Sequence, residues 1–206
     1  MQLRARKTKE KILLAAMRLF AKTGFQGTKI DDLASAAKVN RQRIYAYFGS
    51  KEKLFQAAML EVFAKANAED DELLKLSEED LPQLTEILLR HYLAVHQRHP
   101  ALHRMVGWAN LQLKKTPLWM KDIKEKSFAH LRKLYQTGQG QGVFPATVDF
   151  DVYIFTLLAA TYFQAANRIT ATQTIAEELF SSQGSEKLIR QISDMINCRQ
   201  NGDVCT

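Results

Sequence analysis

The stretch TKIDDLASAAKVNRQRIYAYFGSK, residues 28–51, decides how the rest of the chain is read. It consists of two short amphipathic runs with a tight joint between them. Thr28 and Asp31 form a T-x-x-D pattern that predicts a helix start, and Ile30, Leu33, Ala34 and Ala37 give that helix one apolar stripe. After a turn at Lys38-Val39, Asn40 stands where a cap opens a second helix. The second helix has only Ile44 and Phe48 as core residues, four positions apart. Its remaining positions are Arg41, Gln42, Arg43, Tyr45, Ala46 and Tyr47, without an acid among them. Solubility alone does not call for such a face. Arginine donors match guanine O6 and N7, and a glutamine amide matches adenine N6 and N7. Tyrosine hydroxyls and lysines reach phosphates and set register.

The charge supports a polyanion partner. The 206 residues carry 29 Lys+Arg against 22 Asp+Glu, a net +7. Residues 1–60 hold 13 of those cations and 4 of the anions, so the whole positive excess lies in the first third. Nucleic acid and an anionic membrane surface are the two classes that such asymmetry suggests. With 46% hydrophobic and 25% charged residues, the composition is that of a globular protein with one core or two small ones. Two cysteines, Cys198 and Cys205, exclude a disulfide framework and a four-thiolate zinc site. The basic start MQLRARKTKEK lacks the apolar run of a secretory signal, and the longest uncharged stretch, Val152 to Asn167, is too short and polar to span a bilayer. The expected location is cytoplasmic, with reduced thiols.

Apolar spacing is helical nearly throughout, and no window alternates with a period of two, which predicts an all-α fold. Upstream of the reading stretch, a helix is expected from about Lys9 to Thr23, capped by Thr8 and ended by Gly24. Downstream, Gly49-Ser50 breaks the pattern and Ser50 caps a fourth helix from Lys51, with a bend expected at the acidic run Glu69-Asp70-Asp71-Glu72. Further helices are expected at about Leu81–His99, Pro100–Leu113, Thr116–Thr137, Asp149–Ile169 and Ser185–Cys198, with a loop at Gly138–Gly142. The domain reading is 1–50 for a three-helix DNA-binding unit, linked by a long helix into a second helical domain at 51–198, with 199–206 as a flexible tail.

The run Gly24-Phe25-Gln26-Gly27-Thr28-Lys29-Ile30-Asp31-Asp32-Leu33-Ala34, then Val39, then Ile44 through Phe55 resembles the signature of the TetR family of bacterial transcriptional regulators. The resemblance covers about residues 8–60. It implies that Thr28 and Lys29 meet phosphate at the start of the second helix. It implies that Arg41, Gln42 and Arg43, behind Asn40, touch bases. By the same likeness, Tyr45 and Tyr47 touch phosphate, sugar or a thymine methyl, and Lys51 meets backbone phosphate at the head of the fourth helix. It further implies a double-stranded, palindromic DNA operator, a small-molecule effector of unknown identity and a homodimer, and it assigns effector binding and dimerisation to the domain at 51–198. Repression is favoured over activation because a dimer of this size occludes a promoter.

The 149–169 segment is apolar on nearly every side, which predicts burial against its own domain and against a second copy. With the last helix it supplies the expected dimer seam: Tyr153, Leu157, Tyr162, Leu188, Ile192 and Met195. Candidates for an effector pocket are Tyr92, Met105, Trp108, Trp119, Phe128 and Phe163, although aromatic and methionine residues at helical spacing also serve as core. His91, His96, His99 and His103 are close in sequence, but Pro100 interrupts them and no Cys or close carboxylate completes a set, so neither metal nor cofactor is expected. No phosphate loop, nucleophile elbow or HExxH is present, and no enzyme is read. Two alternatives stand beside the effector-released repressor: an activator or effector-independent DNA binder, and a basic surface that docks on lipid or protein.

Overall fold

The computed structural model describes residues 2–112 and 124–197. Among them all regular structure is helical: α1 (Gln2–Gly27), α2 (Ile30–Ala37), α3 (Arg41–Phe48), α4 (Lys51–Asn67), α5 (Leu84–Arg98), α6 (Pro100–Gln112), α7 (Glu125–Gly140), α8 (Phe150–Ala166), α9 (Arg168–Thr174) and α10 (Ser182–Ile196). Short 3₁₀ turns connect α4 to α5. The chain divides into two units, one drawn from Met1–Ala68 and His99–Ile123, the other from Glu69–Arg98 and Lys124–Thr206. The packing therefore places α4 and α6 with the first three helices, whereas the sequence reading assigned both to the second domain.

In the first unit, α1 packs against α2, α4 and α6. Its core comprises Ile12, Ala16 and Phe20 of α1, Leu33 of α2, Ile44 of α3 and Leu54, Ala58 and Met59 of α4, all essentially sealed from solvent. The Phe20 ring meets Phe55 edge-on at 5.0 Å, and Phe25 meets Phe55 at 5.4 Å. The two caps that position α3 and α4 form as expected. The Asn40 side chain accepts from the Arg43 N–H at 2.9 Å, and Ser50 Oγ accepts from the Lys53 N–H at 3.2 Å.

In the second unit, α5 packs on α8 and α10, and α7 on α8. Tyr135 stacks on Phe144 at 4.7 Å and on Tyr153 at 4.4 Å. The buried Tyr153 hydroxyl is 3.1 Å from Thr85 Oγ1, which donates to Asn197 Oδ1 at 2.6 Å. Leu84, Leu88, Leu131, Leu157 and Ile189 complete this core.

Several boundaries differ from expectation, each for a local reason. Helix α1 begins at Gln2, not Lys9, and Thr8 is no cap: its hydroxyl back-bonds to the Arg4 carbonyl inside the helix, beside an Arg6–Glu10 ion pair. Gly138 and Gly140 lie within α7 rather than in a loop. A Cβ on Gly138 would meet the Phe144 ring at 2.5 Å, so the glycine is there to admit that ring. The segment expected as one helix from 149 to 169 breaks at Asn167 into α8 and α9. The expected helix start at Thr116, together with Trp119, Cys198 and Cys205, lies outside the described residues.

Gly24 does not end α1 but kinks it, with φ +70°. Its missing side chain admits α6: a Cβ there would stand 2.8 Å from the Trp108 ring and 2.8 Å from the Gln112 amide nitrogen. Gly24→Ala combines a left-handed backbone with that overlap. It is expected to lower stability by about 1–3 kcal/mol, read as a reduced urea midpoint at unchanged slope.

Candidate nucleic-acid interface

Helix α3 turns Ile44 and Phe48 into the core and leaves Arg41, Gln42 and Arg43 exposed in its first turn. Tyr45 is 47% exposed and Tyr47 half-buried one turn further on. Asn40, itself exposed, caps the helix, and Lys29 stands exposed at the N-cap of α2. At the head of α4 the Lys51 ammonium lies over the Phe25 ring at 4.5 Å, which fixes the direction of a cation flanking α3. Across the short helix, the Lys9 ammonium sits 5.7 Å from the Phe48 ring centroid. These cations and hydrogen-bond donors surround a helix that carries no carboxylate of its own.

The structure corrects two features of this face. Thr28 is buried, with 1% exposure; its hydroxyl donates to the Gly24 carbonyl at 2.7 Å and shares a 2.8 Å bond with Thr23 Oγ1. It does not cap α2, and its hydroxyl is turned inward. The N-cap is Lys29, without a side-chain capping bond. Second, Arg41 forms an ion pair with Asp31 of α2, ten residues upstream. No periodicity in the sequence announces that pairing. Among the described residues, the Gln42 and Arg43 side chains at the start of α3 have no hydrogen-bond or ion-pair partner.

Five of the six candidates for an effector pocket lie among the described residues, divided between the two units. Met105 is buried in α6 and Trp108 faces the Gly24 kink, both in the first unit. Tyr92 and Phe128 belong to the core of the second unit, and Phe163 is 46% exposed on α8. Of the dimer candidates, Tyr153 and Leu157 are sealed inside their own unit, so they cannot reach a second copy. Tyr162, Leu188 and Ile192 are half-buried and Met195 is 83% exposed. The exposed large apolar positions of α8 are instead Val152 (56%), Phe155 (70%) and Phe163 (46%).

The sequence reading also missed a buried polar cluster. Asp70, 4% exposed, is 2.9 Å from His91 Nε2, forms an ion pair with Lys124 and lies 3.4 Å from Ser127 Oγ. Burial pushes its carboxyl up, but the His91 hydrogen bond and the Lys124 charge override that and hold it below the usual carboxylate range. Burial also pushes the Tyr92 hydroxyl, without a hydrogen-bond partner among the described residues, far above its ordinary value. The histidines contribute to packing and ion pairing; among the described residues, no three His, Cys, Asp or Glu side chains are placed to hold a metal.

Two short helices at a tight turn, the second capped and presenting donors, define a helix-turn-helix DNA-binding unit. Residues 12–58 match the family model described as bacterial regulatory proteins, tetR family, and residues 79–196 match the tetracyclin repressor-like C-terminal domain. The chain belongs to the TetR family and is a DNA-binding transcriptional regulator, not an enzyme. It is 28% identical to the HTH-type transcriptional repressor NicS of Pseudomonas putida over 93% of this chain and 91% of that one. It is 27% identical to the HTH-type transcriptional regulator RutR of Escherichia coli, over 93% and 91%. A TetR family transcription regulator from Marinobacter aquaeolei shares the fold with a TM-score of 0.70 at 20% identity, covering 97% of this chain and 100% of that one. Regulators of the family bind DNA operators and small-molecule effectors and act as dimers. Among the described residues no helix is long and apolar enough to cross a membrane.

Proposed function

We propose that this protein is a cytoplasmic homodimeric repressor that reads a two-fold symmetric operator through α3 and leaves it when a small molecule binds the second unit. The observation that carries the DNA half of this reading is the exposed, acid-free first turn of α3, with Gln42 and Arg43 unpaired among the described residues. Gln42 and Arg43 read base edges, Tyr45 and Tyr47 touch backbone or thymine methyl, and Lys29 and Lys51 hold phosphate. The repressor role of the NicS relative supports repression.

The dimer seam is the outer side of α8, Val152, Phe155 and Phe163, joined by Ile192 and Met195 of α10. Exposed side chains of this size on one helix need a partner surface. A two-fold dimer suits DNA reading, since two copies of α3 must reach half-sites about one helical turn of DNA apart, or a multiple of it. Phe155→Asp is expected to weaken self-association by about tenfold or more, seen as monomer in sedimentation at micromolar concentration. A variant that stays dimeric would remove α8 from the seam.

The reading as a whole is tested by mapping the DNA bound by the protein across its genome. Recovery of short inverted repeats upstream of genes is the expected result, and a scatter without common sequence would defeat it. The genes beside the sites then suggest effectors to titrate against the complex.

A further inference from the structure

Helix α1 carries a second cationic surface that the DNA reading does not use. Arg4, Lys7, Lys11, Arg18 and Lys22 recur at three-, four- and seven-residue steps, with Leu14 between Lys11 and Arg18. Such spacing puts all six on one face, along about 27 Å of helix. All are exposed, and among the described residues none of the five cations forms an ion pair, whereas Arg6, off the stripe, pairs with Glu10. Beside the middle of the stripe, α1 and α2 enclose a groove of about 510 Å³. Its floor is Ala15, Ala36 and Ala37, and its rim is Lys11, Arg18 and Lys38, with Leu14 standing 57% exposed at the edge.

This face points away from α3. Lys9, which reaches the Phe48 ring of α3, lies about 160–200° around α1 from Lys7 and Lys11. A duplex seated on α3 therefore has the opposite side of α1 before it. The groove also has the wrong chemistry for a nucleic-acid backbone: a phosphodiester satisfies the cations but offers nothing to Leu14 or the alanine floor. A flat lipid headgroup surface does not fill a concave site.

We propose that this face of α1, with the groove against α2, docks an acidic segment of a partner protein in which carboxylates flank a leucine-sized side chain. The apolar side chain lies on the alanine floor beside Leu14, and the carboxylates meet Lys11, Arg18 and Lys38. The outer cations, Arg4, Lys7 and Lys22, steer the encounter and make it salt-sensitive.

The test uses the full chain and fluorescence anisotropy. The probe is a short synthetic peptide of glutamates around a central Leu-Leu pair; an all-glutamate peptide of equal charge, a labelled duplex and phosphatidylglycerol vesicles are compared with it. The leucine-bearing peptide is expected to bind about tenfold tighter than the all-glutamate one. Leu14→Ala should abolish that difference while leaving duplex affinity within about twofold, and Lys11→Glu with Arg18→Glu should weaken the peptide about a hundredfold. The milder pair Lys11→Gln with Arg18→Gln guards against loss of fold, with helicity followed by circular dichroism. Equal binding of the two peptides overturns the proposal. So does a loss of duplex binding as large as the loss of peptide binding, which would assign the stripe to the DNA footprint, or Leu14-dependent capture by vesicles without peptide binding.

Discussion

Replacing Gln42 and Arg43 together by alanine is expected to lower operator affinity by about 10²–10⁴-fold, since each bidentate base contact is worth about 1–3 kcal/mol. Both side chains are exposed at the first turn of α3, so the fold has no stake in them. Arg41→Ala is expected to cost less, about tenfold or below, because the free protein already engages that guanidinium with Asp31. The pair is solvent-exposed and worth only about 0–1 kcal/mol, so DNA is able to compete for it, but the competition subtracts from the gain. Lys51→Ala should differ in kind. It is expected to weaken specific and non-specific DNA alike and to reduce the slope of log affinity against log salt by about 1. Anisotropy titrations at several salt concentrations separate these behaviours. A double variant that binds its operator within about twofold of wild type would remove α3 from the role of reader.

Lys124→Met is expected to destabilise the second unit by about 3–5 kcal/mol, the usual result of stripping one partner from a buried charge pair. Asp70 is the reason. Its side chain is 6% exposed, and among the described residues only His91 and Ser127 would remain to hold its carboxylate. Replacing both, Asp70→Leu with Lys124→Met, should recover much of the loss, because no buried carboxylate is then left without its ammonium partner. The sign of the pH dependence follows from the depressed carboxyl of Asp70. Its contribution is complete above the ordinary carboxylate range and is lost as pH falls through the lower, folded value. In Lys124→Met the burial effect gains weight, so acid unfolding should begin at a higher pH than in wild type. Urea melts across an acid pH series measure both effects; an unchanged acid transition would show that Lys124 does not hold Asp70.

The two predictions fall on opposite sides of what a linear sequence reveals. The reading helix was legible because everything that makes it is local. The Asn40 and Ser50 caps act over three residues, Ile44 and Phe48 are one turn apart, and the outer face is what those two core positions leave over. The Asp70 cluster was not legible, because its members come from positions 70, 91, 124 and 127 and meet only when the helices pack. Thr28 looked like a cap from its spacing to Asp31, yet the kink at Gly24 offers its hydroxyl a nearer carbonyl acceptor and takes it inward.

Helix α8 shows the same division most plainly. Its sequence is apolar all round, so it announced burial on two sides without an asymmetry to say which side was which. Tyr153 and Leu157 went to the core of their own unit, and Val152, Phe155 and Phe163 to the outside, because the hydroxyl of Thr85 and the rings of Tyr135 and Phe144 lie on one side only. The sequence alone determined an all-helical chain headed by a DNA-reading helix pair, since periodicity and capping act within a few residues. The tertiary structure decided which donors of that pair are paired within the chain, which apolar face is left exposed and which charge is buried, since those depend on neighbours brought from far along the chain.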